Sequence, residues 1–185
     1  MKYFLIINGI IVLLLLFFVM TSYNGLVSMR NRVRNQKSQI DIELKRRFDL
    51  VPNLVETVKG YANHEKTALE DIIKARNNYV SAGTDTAQAL EADNVLNGAL
   101  SRLFALSESY PDLKANANFL NLQNELSDVE KRIVYARQFY NDSVLMLNNK
   151  VEMFPSSIVA RFFNFKTETF FEAEASEREN VKVNF

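Results

Sequence analysis

Apolar positions along this chain change their period once, and the change divides it. From Tyr3 to Met20 the run YFLIINGIIVLLLLFFVM carries no charge, and Thr21, Ser22 and Tyr23 extend it to 21 residues. A helix of that length rises about 31 Å, close to the ~30 Å hydrocarbon core of a bilayer. Tyr3 and Tyr23 then stand at the two interfaces, where amphipathic rings collect. The run predicts a transmembrane anchor. A cleaved signal peptide would begin the same way, with Lys2 ahead of an apolar stretch, but no A-x-A-like site follows Met20 and no Cys offers lipid attachment. Asn8 lies near one end of the run, where its amide reaches headgroups; the alternative is a hydrogen bond to a neighbouring span.

Beyond Tyr23 the apolar residues recur at helical spacing. Leu26, Val33, Ile40, Leu44 and Val51 continue the anchor into a water-soluble helix with no flexible linker. Pro52 is expected to kink or restart it, and Gly60 with Asn63 offers a firmer stop and a new N-cap; Leu54, Val55, Val58 and Tyr61 bridge the two. A second helix is predicted over about 65–80, with Leu69, Ile72, Ile73, Ala75 and Tyr79 on its apolar side, followed by the polar connection SAGTD. A third covers about 86–109 through Leu90, Val95, Leu96, Leu100, Leu103, Phe104 and Leu106, before a turn at Pro111 and Asp112. In the fourth, Phe119, Leu122, Leu126, Val129, Ile133, Ala136 and Tyr140 alternate spacings of three and four, and Leu147, Val151 and Phe154 resume the stripe. A stripe that long needs a long partner surface, and the first helix is the only other element of comparable length. Short connections favour antiparallel neighbours. The expected fold class is all-α: an anchor over 1–23, an antiparallel up-and-down bundle of about four long helices over 24–154, then a Phe-rich segment and acidic tail over 155–185.

Charge changes this picture only locally. Lys and Arg total 22, as do Asp and Glu, so no global excess argues for nucleic acid as a partner. The absence of Cys removes disulfides, thiol catalysis and Cys-based zinc sites, and five Gly with three Pro disfavour a turn-rich all-β fold. Lys2 stands alone before the span, whereas Arg30, Arg32, Arg34 and Lys37 follow it before any acid appears, which predicts a single-pass protein with a cytoplasmic bundle.

Candidate chemistry is sparse. His64 is the only His, and its neighbour Glu65 diverges from it by about 100° on a helix, so the two cannot chelate as an i, i+4 pair can. Glu125 with Asp128, and Glu172 with Glu174, read as solvated charges. No catalytic residue, cofactor site or metal site is expected, and the protein is not expected to be an enzyme. The sharpest polar group is Lys45, Arg46 and Arg47 with Asp49. It either grips an acidic partner or pairs with Glu56 or with acids of the fourth helix, such as Glu125 and Glu130, to fix register between helices. A second group is aromatic: Ile158, Val159, Phe162, Phe163, Phe165, Phe170 and Phe171 follow the end of the fourth helix, which should return towards the membrane. They either cap the bundle core or rest on the bilayer interface with Arg161 and Lys166 at headgroups. The tail from Glu172 to Glu179 has little to bury and is expected to be solvated.

The stretch IDIELKRRFDLVPNLVETVKGYANHE from Ile40 to Glu65 resembles the signature of the LemA family. A second block agrees in order: PDLKANANFLNLQNEL from Pro111 to Leu126, then Glu130, Ile133, Ala136, Arg137, Tyr140, Asn141, Phe154 and Pro155. The resemblance runs from about Tyr23 to Phe171. Lys37 departs from it, since many relatives carry Trp there. It implies a bacterial cell-membrane protein with a short N-terminus outside and a bundle of about four helices in the cytoplasm. It implies no established enzymatic activity, and associations with membrane proteases and envelope stress. The expected partners are membrane lipids and other membrane proteins, with self-association compatible.

Overall fold

The first helix does not break where proline is met. In the computed structural model, which describes residues 1–61, 66–83 and 85–171, α1 runs unbroken over Lys2–Lys59 and passes through Pro52. The helix is therefore not restarted at Pro52. An interior proline costs roughly 3 kcal/mol, but Pro52 is exposed while Val51, Leu54, Val55 and Val58 around it are buried. Each such side chain gains about 1.5–3 kcal/mol on burial, enough together to hold the helix across the missing N–H. Asn63, His64, Glu65 and the acidic tail from Glu172 to Glu179 lie outside the described residues.

α2 spans Lys66–Ala82 and is followed by Gly83 at φ +57°, a left-handed conformation that favours glycine. α3 spans Thr86–Ser107, and the Asp85 carboxylate caps it by accepting from the N–H groups of Ala87 and Gln88 at 3.0 and 3.3 Å. A short α4 over Pro111–Lys114 precedes α5, Ala117–Glu152, whose start is capped by the Asn116 side chain accepting from the Phe119 N–H at 3.0 Å. α6 covers Ser156–Phe162. Every described element is helical.

Packing divides the chain into two compact units. One comprises Lys37–Ala136. All five of its helical segments share one core: Phe48, Leu54 and Val58 of α1, Leu69 and Ile72 of α2, Leu96 and Leu103 of α3, Leu113 of α4, and Phe119 and Leu126 of α5. The inner side of α3 is largely alanine, with Ala89, Ala92 and Ala99 buried, whereas Val95, expected on the apolar side, is exposed. Ile73 of α2 is exposed as well. Both sit on the wrong side of a face set by Leu69, Ile72 and Ala75 on α2 and by Ala92, Leu96 and Ala99 on α3.

The other unit comprises Met1–Gln36 and Arg137–Phe185. Here Leu26 of α1 packs with Val159 and Ala160 of α6, and Phe18, Val151 and Phe165 close the cluster. Phe154, expected to continue the α5 stripe, is exposed, because α5 ends at Glu152 and the chain turns at Pro155 into α6. The apolar run at the start of α1 is long enough to cross a membrane and none of it is buried. Asn8 turns its amide back to the Phe4 carbonyl at 2.8 Å, so one of its two N–H donors is used within the helix.

Leu126 lies in the middle of the first core at 1% exposure. Leu126→Ala is expected to cost about 2–5 kcal/mol, and Leu126→Asp more, because it buries an unpaired charge. Chemical denaturation of the detergent-solubilised protein, followed by circular dichroism, checks both; an unchanged midpoint for Leu126→Asp would place this stripe in water.

Candidate functional site

The basic run on α1 separates into three environments. Lys45 pairs with Asp49 one turn later at 2.5 Å on the surface, and that hydrogen bond, followed by the carboxylate's charge, raises the Lys45 pKa above its ordinary value. Arg46 reaches α5, its Nη2 3.3 Å from Glu125 Oε1, with both side chains about half exposed. Such a pair contributes roughly 0–1 kcal/mol and orients more than it stabilises. Arg47 is 1% exposed. Its Nη1 donates to Asp93 Oδ1 of α3 at 2.8 Å, its Nη2 donates to Asn97, and Glu130 of α5 stands 3.7 Å from the same nitrogen. Asp93 is equally buried.

This node explains why Arg47 is unavailable at the surface. It occupies an apolar register position, seven residues after Ile40 and seven before Leu54, both fully buried. The register of α1 carries the guanidinium inside, where a charge must be paired or cost several kcal/mol. A recess of about 220 Å³ beside it is lined by Asn97, Ser101, Gln123, Ser127 and Glu130, among others. That is below the ~300–1,000 Å³ of common small-molecule sites.

In the other unit the aromatic segment also divides. Phe163 and Phe165 pack on Tyr23, with ring centroids 4.7 and 5.8 Å away, and Arg30 stands 5.1 Å over the Phe165 ring. Phe171 packs on Tyr140 at 4.5 Å. Phe162 and Phe170 are exposed. The non-helical stretch reaching Phe171 is held by two amides of α5. Asn148 donates to the Glu168 carbonyl and accepts from the Glu168 N–H, both at 2.9 Å. Asn141 does the same with Phe171, again at 2.9 Å twice. Between these clasps the Tyr140 hydroxyl donates to the Thr169 carbonyl at 3.1 Å. Burial, reinforced by the Glu168 carboxylate, raises the Tyr140 pKa. The geometry is commensurate: seven helical residues rise ~10.5 Å, and three extended residues span ~10 Å.

Asp93 and Asn97 escaped sequence reasoning although they share a face four residues apart among Leu96 and Leu100, where two polar residues inside an apolar stripe were the available signal. Asn141 and Asn148 stand a heptad apart, beside Tyr140 and Leu147 of the buried stripe, which was the corresponding signal there.

Comparison with known proteins adds two kinds of relative. The LemA family model matches residues 36–185. Protein LemA of Metamycoplasma hominis is 27% identical over 184 residues, covering 99% of this chain and 84% of that protein. Magnetosome protein MamQ of Magnetospirillum gryphiswaldense is 26% identical over 174 residues, covering 80% of this chain and 64% of its own length. The chain thus spans just under two thirds of the magnetosome protein. The uncovered apolar start of α1 is the feature that indicates membrane association.

Two outcomes follow. Arg47→Met removes the buried ion pair with Asp93 and is expected to cost about 3–5 kcal/mol, while Arg47→Met with Asp93→Asn costs less than the sum of the two single changes; a double-mutant cycle on denaturation midpoints measures the coupling. For Tyr140 the folded state holds the phenolic proton more tightly than the unfolded chain does. Its contribution is therefore intact below the ordinary value of 10.0 and is lost as pH rises through the raised folded value. A tyrosinate absorbance titration should show a late component that Tyr140→Phe reduces, the remainder coming from Tyr79, whose pKa burial also raises.

Proposed function

The chain belongs to the LemA family, and from that premise we propose that it is a single-pass, membrane-tethered interaction protein whose helical part faces the cytoplasm. It acts by holding partners at the bilayer and performs no turnover of its own. The observation that carries this reading is the start of α1: from Tyr3 to Met20 every large apolar side chain but Phe18 is exposed. A patch of that extent exceeds what a water-soluble monomer leaves exposed. Orientation is supported by Arg30, Arg32, Arg34 and Lys37 following the span against Lys2 before it. Binding rather than catalysis is supported by how the basic run is used, since Arg46 and Arg47 are engaged by partners within the chain.

The absence of native Cys makes topology directly testable. A single Cys introduced at the exposed Ser38 should resist a membrane-impermeant maleimide in intact cells and react after permeabilisation; labelling without permeabilisation would reverse the orientation. Crosslinking in the membrane followed by affinity capture tests the role. Recovery of several membrane proteins or of the chain itself supports a scaffold, whereas recovery of one enzyme at fixed stoichiometry identifies an adaptor. Turnover by the purified protein would overturn both.

A further inference from the structure

Four large apolar side chains close to α6 have no cover: Met153 and Phe154 before it, and Ile158 and Phe162 on it, the last two at 61% and 81% exposure. Ile158 and Phe162 are one helical turn apart and share a face. The opposite side of α6 is committed, with Val159 and Ala160 buried against Leu26 and the cluster reaching Phe18. Phe18 belongs to the apolar run that ends at Met20. Leu26 is six residues further, about 9 Å along α1, and the headgroup layer on each side of a bilayer is ~5–8 Å deep. α6 is therefore fixed to the stretch of α1 that crosses the boundary between acyl chains and headgroups.

We infer that the exposed face of α6, with Phe154, Ile158 and Phe162, lies in the phospholipid interface and forms a second membrane contact beside the α1 span. The occupant is lipid because the face is continuous with the span: the cluster that holds α6 reaches Phe18, the partly covered residue near the end of a run whose other large apolar side chains are exposed. The cations stand where phosphates would be. Arg161 flanks Ile158 and Phe162 on the exposed side. Lys150 Nζ lies over Gly25, 2.5 Å from where a β-carbon would be, one residue from Leu26. Glu152 is an exposed acid at this end of α5 among the described residues. At seven residues α6 is too short to bind a membrane by its own affinity; packing on α1 holds it there. The aromatic segment thus serves two surfaces at once, with Phe163 and Phe165 turned to Tyr23 and Phe162 turned to lipid.

The chain has no Trp, so one introduced Trp reports alone. The inference rests on α1 anchoring the protein, and the variants separate the two claims. The full chain is reconstituted into phosphatidylcholine–phosphatidylglycerol vesicles whose acyl chains are brominated near the headgroup or near the terminal methyl. Leu14→Trp reports the anchor, Phe162→Trp and Ile158→Trp report α6, and Phe139→Trp, exposed on α5 well before its end, is the control. Phe162→Trp and Ile158→Trp should each lose most of their emission to the shallow bromines and less to the deep ones, while Phe139→Trp is unaffected. If Leu14→Trp is quenched and neither α6 reporter is, the face is covered by water or protein and the inference fails. If Leu14→Trp is not quenched, the anchoring itself fails and takes this inference with it.

Discussion

One helix has to satisfy two solvents. α1 is apolar around its whole circumference through Met20 and apolar along a single stripe from Leu26 onwards, and the described chain does not break between the two regimes. Its early part can be uncovered only where water is absent, and its later part must be covered by other helices. Residues spaced by seven, Leu26, Val33, Ile40, Arg47 and Leu54, mark the covered stripe, and every one is buried. The elements that follow are placed by this stripe: α6 covers it at Leu26, and the core shared by α2, α3, α4 and α5 includes it at Leu54.

Arg47 shows what that register costs. A Leu there would bury without penalty, whereas the guanidinium requires Asp93, Asn97 and Glu130 to be brought to it from two other helices. The stability gained by such a node is small or negative relative to an apolar substitute. Its effect is on choice among packings, since a sliding of α3 by one turn would separate the Arg47 guanidinium from Asp93 and Asn97. The alanine-rich inner face of α3 discriminates poorly by shape, and the ion pair supplies the discrimination.

The legible part of the fold was the part governed by period. Residues 3–20 were readable as an uninterrupted apolar run, and the stripe from Phe119 to Val151 because burial of large apolar side chains at fixed spacing leaves a direct trace. Alanines leave almost none, so Ala89, Ala92 and Ala99 went unread and Val95 was placed inside by its hydropathy alone. At Pro52 the local cost is visible in the sequence and the compensating tertiary burial that keeps the helix unbroken is not. Lys45, Arg46, Arg47 and Asp49 were visible as a cluster, but their separation into a surface pair, an inter-helix bridge and a buried node depends on angles around α1. The resemblance covered nearly the whole soluble part, and the family match over residues 36–185 agrees with it.

The clasps of Asn141 and Asn148 touch only main chain, at Phe171 and Glu168. Side chains between those two points are free to change without loosening the hold, but the number of residues between them is not. Seven residues of helix match three of extended chain, and one inserted or deleted residue shifts the second peptide group by ~3.3 Å, beyond the reach of its amide. This stretch is therefore constrained in length and permissive in composition, the opposite of an ordinary surface loop.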